Sequence, residues 1–218
     1  MTELNRYMDH TLLKADATCE DIKKLCAEAV KYNFFSVCVN PSRIPLCKEL
    51  LKGTQVRTAT VCGFPLGATS VQAKLAETEQ AVEDGADEID MVINIGKVKD
   101  GDYDYVENEI RQLADYVHSR GKLLKVIIET CLLTEDEKLA VSRTACKAGC
   151  DFLKTSTGFS TGGARPSDVM LMLNANNYSV PVKASGGIRT AKDAQAMIDA
   201  GASRLGVSAS VKIMEELK

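Results

Sequence analysis

The sequence has no apolar run long enough to cross a lipid bilayer. Its longest apolar runs, such as Val126, Ile127 and Ile128, fall far short of the roughly 20 residues that a membrane helix needs. Basic blocks are also absent: charges of both signs are interspersed, and the formal net charge is −3. We therefore expect neither a membrane nor nucleic acid as the main partner. The first residues, which include Glu3 and Asp9, form no signal-like segment, so we expect a cytoplasmic protein.

Metal-ligand patterns and nucleotide-binding motifs are missing as well. The only histidines are His10 and His118, and the eight cysteines form no CxxC pair. Cys146 and Cys150 can meet on a helix, but nothing nearby completes a metal set. We interpret the cysteines as small buried side chains in a reducing compartment and expect no metal. The GxGxxG turn of dinucleotide-binding folds is absent, so we expect no cofactor.

What the chain does contain is a regular alternation of strand and helix patterns. Turn residues follow each helical pattern and precede each apolar strand: Gly53, Gly85, Gly121, Gly149, Asn176 and Gly201. Three helix starts carry capping residues: Thr18 with Asp21 three residues on, Thr134 with Glu137, and Thr190. Eight alternating units in 218 residues predict a (β/α)₈ barrel, with one domain over residues 1–218. A doubly wound open sheet is the alternative.

The predicted strands are short and apolar. They cover residues 7–11, 35–39, 56–62, 88–93, 123–128, 152–155, 180–184 and 204–206. The first helix shows its buried face at helical spacing, in Ile22, Leu25, Cys26, Ala29 and Val30.

Charged side chains interrupt four of these strands, on the face that should point into the barrel. Strand side chains alternate between faces, and the apolar residues on either side suit the face covered by helices. The alternation predicts that these side chains lie inside: Asp90, Lys125, Lys154 and Lys183. Barrel enzymes place their chemistry at the carboxyl ends of the strands. A structural ion pair between Asp90 and Lys125 is the alternative, and Glu129 is a further candidate for that network.

Two buried lysines on neighbouring strands suggest an amine that attacks a carbonyl group. An ordinary lysine has a pKa of about 10.4, so about one in 10³ is neutral at pH 7. Burial and a neighbouring ammonium both lower that pKa, and Lys183 supplies the second charge beside Lys154. Asp90 can then move protons as acid and base. The iminium itself withdraws the electrons, so the reaction needs no metal.

The loops after the last two predicted strands suit an anion. Ser185-Gly186-Gly187 opens one helix, and Gly206-Val207-Ser208 opens the last. Their amides and helix N-termini favour negative charge, and these loops are the usual phosphate position in this barrel. We therefore expect Gly186, Gly187, Gly206 and Ser208 to hold a substrate phosphate.

Six motifs extend over almost the whole length of the sequence. They are Met8-Asp9-His10-Thr11-Leu12-Leu13, Val61-Cys62-Gly63-Phe64-Pro65-Leu66-Gly67, the segment 85–92 (GADEIDMV), the segment 124–130 (LKVIIET), the segment 152–159 (FLKTSTGF) and the segment 182–190 (VKASGGIRT). The most specific parts are the Lys-Thr-Ser-Thr-Gly-Phe and Lys-Ala-Ser-Gly-Gly segments. In these motifs the sequence resembles the deoxyribose-phosphate aldolase family of class I aldolases.

The resemblance implies reversible cleavage of 2-deoxy-D-ribose 5-phosphate to acetaldehyde and D-glyceraldehyde 3-phosphate. By matching position it implies Lys154 as the Schiff-base lysine, Asp90 as proton donor and acceptor, Lys183 as the assisting lysine and Lys125 as the residue that orients them. Ser208 is followed by Ala209, where some relatives place a second serine. Members of the family are commonly homodimers or homotetramers.

Two other functions remain as alternatives. Another class I sugar-phosphate aldolase, or a transaldolase-like enzyme, would use the same barrel with a different donor. A sugar-phosphate-binding protein without activity would keep the phosphate loops, but it would have no reason to bury two lysines and Asp90.

Overall fold

Eight parallel strands, each hydrogen-bonded to its neighbours in chain order, form a closed barrel in this computed structural model, which describes residues 4–217. The eighth strand pairs with the first, and this pairing closes the barrel. The strands are β1 Met8–Leu12, β2 Ser36–Val39, β3 Arg57–Cys62, β4 Glu88–Val92, β5 Leu123–Ile127, β6 Phe152–Lys154, β7 Val182–Ser185 and β8 Arg204–Val207. The predicted (β/α)₈ barrel is therefore confirmed, and the closing pair rules out an open doubly wound sheet.

Helices connect successive strands and surround the barrel. They are α1 Cys19–Lys31, α2 Ile44–Leu50, α3 Val71–Glu83, α4 Ile95–Lys99, α5 Tyr103–Ser119, α6 Glu135–Lys147, α7 Pro166–Ala175, α8 Ala191–Asp199 and α9 Ser210–Glu215. Short 3₁₀ turns cover Leu4–Tyr7, Pro41–Arg43 and Thr130–Leu132. Within residues 4–217, no helix has both the length and the apolar character that a membrane span requires.

Local sequence signals explain where the helices begin and end. Three helices start with a complete capping box, formed by Thr18 with Asp21, Thr134 with Glu137, and Thr190 with Asp193. In each box the threonine side chain accepts from a backbone N–H that has no partner inside the helix. After the helices, Gly85 and Gly149 adopt φ values of 106° and 97°, a conformation that disfavours other residues.

The main hydrophobic core fills the space between the strands and the helices. Ile89 and Met91 on β4 are fully buried in it, as the predicted alternation requires. On α1 the buried residues are Ile22, Leu25, Cys26 and Ala29. Val30 was predicted to join them, but it is 46% exposed because it lies at the edge of the apolar stripe.

The prediction of one domain over residues 1–218 stays a prediction. Residues 1–3 and 218 lie outside the described residues.

Candidate active site

Asp90 lies at the centre of the barrel and contacts three lysines. Lys154 and Lys183 both donate to its Oδ2 atom at 2.7 Å, and Lys125 donates to Oδ1 at 2.7 Å. The alternation of β4 to β7 brings the four side chains together, because the register sets Asp90 beside Lys125 and Lys154 beside Lys183. All four were predicted from the sequence to share one interior.

These charged groups are removed from solvent. Lys154 is 3% exposed, whereas Asp90, Lys125 and Lys183 are fully buried. Burial by itself raises the pKa of the Asp90 carboxyl, but the three ammonium groups lower it well below its usual value. Asp90 is therefore ionised in the resting protein and can accept a proton.

Lys154 and Lys183 differ in the number of carboxylates that they contact. Burial lowers the pKa of Lys183, but its ion pairs with Asp9 and Asp90 outweigh burial and hold the pKa above its usual value. Burial lowers the pKa of Lys154; the carboxylate of Asp90 opposes that shift and the charge of Lys183 adds to it. Lys183 therefore stays charged, while Lys154 loses its proton more readily than an ordinary lysine.

Three further charged residues surround this group, and sequence analysis did not assign them to the site. Asp9 pairs with Lys183 and with Arg204 (Arg204 Nε to Asp9 Oδ1, 2.9 Å). Glu88 contacts Lys125 at 2.6 Å and Arg204 Nη2 at 2.8 Å. Glu88 lies two residues before Asp90 on β4, so its side chain is on the same face of the strand. The alternation could therefore have predicted that Glu88 points into the barrel. Arg204 begins β8 and lies at the opposite end of that strand from the glycine loop that follows it.

Glu129, a candidate for the same network, has a different role in the structure. It follows β5 with a φ of 53°, and its carboxylate accepts from the backbone N–H and the hydroxyl of Thr157. It therefore holds the loop after Lys154 instead of contacting Asp90. β5 ends at Ile127, so the side-chain alternation along that strand does not extend to Glu129.

An apolar wall faces the lysines from the β1–β3 side of the barrel interior. A separate buried cluster contains Leu13, Cys38, Ala59 and Val61, with Phe64 packed against it. Val61 lies opposite Asp90 in the pairing of β3 with β4. Cys38 of this cluster lies close enough to Lys154 to interact with it electrostatically.

The predicted phosphate residues line one cavity of about 270 Å³ at the carboxyl ends of the strands. Gly186, Gly187, Gly206 and Ser208 all contribute to its surface. The complete lining is Thr11, Leu12, Leu13, Lys14, Thr157, Gly158, Phe159, Gly186, Gly187, Ile188, Arg189, Gly206 and Ser208. Lys14 was missed because it follows β1 and is far in sequence from the glycine loops. The cavity therefore has two cationic side chains, from Lys14 and Arg189, besides its backbone amides.

Two glycines shape this cavity in different ways. Gly187 has a φ of 80°, and a Cβ atom placed on it would have no neighbour within 4 Å. A side chain there would project into open space in the cavity. A Cβ on Gly206 would lie 2.8 Å from Cβ of Ser185 and 3.2 Å from Cε of Lys183. Gly206 therefore leaves room for the stem of Lys183.

Residues 4–217 contain no group of three histidine, cysteine, aspartate or glutamate side chains placed to hold a metal ion. All eight cysteines, each within that range, are free thiols.

A family comparison agrees with this geometry: residues 4–214 match the profile of the DeoC/LacD family aldolases. The chain belongs to this family. A charged centre of one aspartate and three lysines, beside a cavity lined by glycine loops, is thus found here in a DeoC/LacD aldolase chain.

Individual relatives of this DeoC/LacD chain are similar over almost their full length. It is 56% identical over 216 residues to the deoxyribose-phosphate aldolase of Aciduliprofundum boonei, covering 99% of this chain and 97% of the relative. It is 57% identical over 213 residues to the enzyme of the same name from Finegoldia magna, covering 98% and 99%. Among solved structures, the tetrameric deoxyribose phosphate aldolase from Aeropyrum pernix superposes with a TM-score of 0.92 at 33% identity, covering 98% and 90%.

Proposed function

We propose that this DeoC/LacD aldolase cleaves 2-deoxy-D-ribose 5-phosphate reversibly to acetaldehyde and D-glyceraldehyde 3-phosphate through a Schiff base on Lys154. The observation that carries the proposal is that Lys154 contacts one carboxylate within residues 4–217. That carboxylate is Asp90, at 2.7 Å, and Asp90 also contacts Lys125 and Lys183. The relatives named above carry the name of this activity.

The proposed reaction starts with attack of the neutral Lys154 amine on C1 of the open-chain sugar. Loss of water from the carbinolamine gives an iminium, whose positive nitrogen can accept electrons. Asp90 takes the proton from the C3 hydroxyl while the C2–C3 bond breaks, which releases glyceraldehyde 3-phosphate and leaves an enamine. A proton returns to C2, and water then releases acetaldehyde and restores the Lys154 amine.

The cavity next to the lysines suits the phosphate end of this substrate. Its glycine-loop amides provide donors at the start of the following helices, and Lys14 and Arg189 add positive charge. The phosphate binds away from the reacting carbons, so its binding energy can orient C1 toward Lys154.

The choice of donor tests the proposed function against other class I aldolases. The purified protein should add acetaldehyde to glyceraldehyde 3-phosphate and should cleave deoxyribose 5-phosphate. If dihydroxyacetone or its phosphate replaced acetaldehyde efficiently as the donor, a transaldolase-like or other sugar-phosphate aldolase would be the better assignment. If neither donor reacted while the sugar phosphate still bound, the protein would be a binding protein.

Lys183→Met should reduce turnover at pH 7 by about tenfold or more and move the acid side of the pH–rate profile upward. Removing its charge raises the pKa of Lys154, and each unit changes the neutral fraction of an amine tenfold. Activity should therefore recover at higher pH. A loss of equal size at every pH would instead indicate direct proton transfer by Lys183, and an unchanged profile would reject its electrostatic role.

Gly187→Val should raise KM for deoxyribose 5-phosphate by about tenfold or more, which corresponds to a loss of about 1.4 kcal/mol of binding. The new side chain would project into the phosphate cavity. KM for unphosphorylated deoxyribose should barely change, whereas kcat for the phosphorylated substrate should also fall.

Gly101→Val is a matched control for this substitution. Gly101 has a φ of 74°, and a Cβ atom placed on it would also have no neighbour within 4 Å, but it lies in the turn between α4 and α5. Gly101→Val should introduce similar backbone strain but should leave KM for deoxyribose 5-phosphate unchanged. Equal losses on both substrates in Gly187→Val would show damage to the fold and would remove the support for the phosphate site.

Assembly and location belong to the same proposal. We propose a homodimer or homotetramer, as one relative is described as tetrameric, and light scattering of the purified protein tests this directly. The cytoplasmic location expected from the sequence stays a prediction.

A further inference from the structure

Seven ionisable side chains form one continuous contact network inside the barrel. Each of these side chains is at most 4% exposed. The network consists of three carboxylates, Asp9, Glu88 and Asp90, and four cationic groups, Lys125, Lys154, Lys183 and Arg204.

Each carboxylate in the network is shared between cations. Asp9 lies between Lys183 and Arg204, and Glu88 lies between Lys125 and Arg204. Asp90 contacts all three lysines. Arg204 therefore joins the two carboxylates at the amino-terminal side of the barrel, and Lys125 and Lys183 connect these carboxylates to Asp90.

The number of charges in this network determines which protonation state of Lys154 is compatible with burial. With all three carboxylates ionised, the charges of Lys125, Lys183 and Arg204 balance them. Lys154 is then neutral in a neutral network, and its ammonium form would add one uncompensated charge. An uncompensated charge out of contact with water is costly, so the network favours the free amine.

Lys154 is also the cationic group of the network that is deprotonated most easily. Lys125, Lys183 and Arg204 each contact two carboxylates of the network, whereas Lys154 contacts only Asp90. If one of the four cationic groups is to be neutral, the contacts select Lys154.

We propose that Glu88 and Arg204 are positioning residues that, through the charge of this network, keep the Lys154 amine unprotonated and ready to attack. This inference rests on the Schiff-base function proposed above. Neither residue contacts Lys154, so each acts through the carboxylates and lysines between them. Neither Glu88 nor Arg204 lines the proposed phosphate cavity, so this role is separate from substrate binding.

Other groups near the network leave the balance of charge as it is. Cys38 on β2 lies near Lys154, and burial raises the pKa of its thiol, so it stays neutral. Arg57 reaches Glu88 at 3.7 Å from outside, but its side chain is 49% exposed and its charge is screened by water. The ring centroids of Phe35 and Phe152 lie 3.6 and 5.8 Å from the Arg204 guanidinium carbon, and neither ring carries a charge.

Two substitutions should move the protonation midpoint of Lys154 in opposite directions. Arg204→Met removes a cation, so protonation of Lys154 would restore neutrality and its midpoint should rise by about one unit. Glu88→Gln removes a carboxylate and should lower the midpoint by a similar amount. The double variant is balanced again and should return close to the original value.

Two pH profiles measure the midpoint, one from the reactivity of the Lys154 amine and one from turnover. The rate of reductive N-ethylation by acetaldehyde and cyanoborohydride is recorded against pH, and mass spectrometry quantifies the product on Lys154. The pH dependence of kcat/KM for deoxyribose 5-phosphate provides a second profile. A shift of one unit changes either rate about tenfold on the acid side.

Asp168→Asn is the control for loss of a buried carboxylate elsewhere. Asp168 pairs with Lys138 at 2.6 Å between α6 and α7, and both side chains are nearly buried. It should lower the thermal midpoint of unfolding and leave both pH profiles in place. If Glu88→Gln does not fold, Asp9→Asn can replace it in the experiment. It removes a different carboxylate of the network and should lower the protonation midpoint of Lys154 in the same way.

The outcomes separate this inference from the function on which it rests. Opposite shifts with restoration in the double variant support the charge-setting role. The charge-setting role would be overturned if both variants shifted the profiles in the same direction. It would also be overturned if the profiles did not move while the unsubstituted protein was labelled on Lys154 and turned over. Absence of labelling and turnover in the unsubstituted protein would instead reject the Schiff-base function.

Discussion

Lys154→Met should abolish aldol cleavage, with a loss of about 10⁴-fold or more, as expected when a covalent nucleophile is removed. Methionine keeps the unbranched stem in a position that is only 3% exposed, but it has no amine to form an iminium. The folded protein should still bind glyceraldehyde 3-phosphate, because the proposed phosphate cavity is not lined by Lys154.

Trapping with acetaldehyde identifies the nucleophile independently of turnover. The amine and the aldehyde form an imine with loss of water, and hydride from borohydride reduces the C=N bond to an N-ethyl group. Peptide mapping should find that group on Lys154 and should find none in Lys154→Met. An ethyl group on Lys183 or Lys125 would reverse the assignment. As a control, Lys138→Met changes a lysine outside the barrel interior and should be labelled as the original protein is.

Asp90→Asn should slow turnover by about 10²-fold or more while leaving Schiff-base formation intact. The substitution keeps the size of the side chain and removes its ability to carry a proton. Lys125 and Lys183 retain Glu88 and Asp9 as partners, but Lys154 loses the one carboxylate that it contacts within residues 4–217. The Lys154 amine should therefore be neutral to lower pH, and its N-ethylation should persist or increase.

The combination of fast labelling and slow turnover is the result that distinguishes proton transfer from a structural role. Thermal unfolding and binding of glyceraldehyde 3-phosphate show whether the variant is folded. Near-normal turnover in a folded Asp90→Asn protein would assign Asp90 to ion pairing alone. Loss of labelling together with turnover would show that Asp90 is needed earlier, for imine formation.

The sequence predicted the course of the chain with errors of one or two residues. Each strand of the barrel matches a predicted one, and the helix starts at Thr18, Thr134 and Thr190 carry the expected caps. Caps, turn glycines and alternation depend on residues that are close in sequence, so they can be read without the fold. Errors occur where an element ends: Glu129 was a candidate for the Asp90 network, but β5 stops before it and its carboxylate contacts Thr157.

Long-range contacts were the part that sequence could not supply. Asp9 and Arg204 are paired across β1 and β8, which only barrel closure makes neighbours. Lys14 joins the glycine loops for the same reason, since β1 completes the ring next to β8. Pairing of the first and last strands depends on the closure of the whole sheet, and no local pattern encodes it.

By itself, the sequence determined a strand–helix alternation, the inward side of Asp90, Lys125, Lys154 and Lys183, and the two glycine loops. These follow from side-chain periodicity and from backbone freedom at glycine. Only the tertiary structure decided which lysine contacts one carboxylate and which contacts two. That difference sets their protonation, because in a buried site the energy of a charge depends on the charges that touch it.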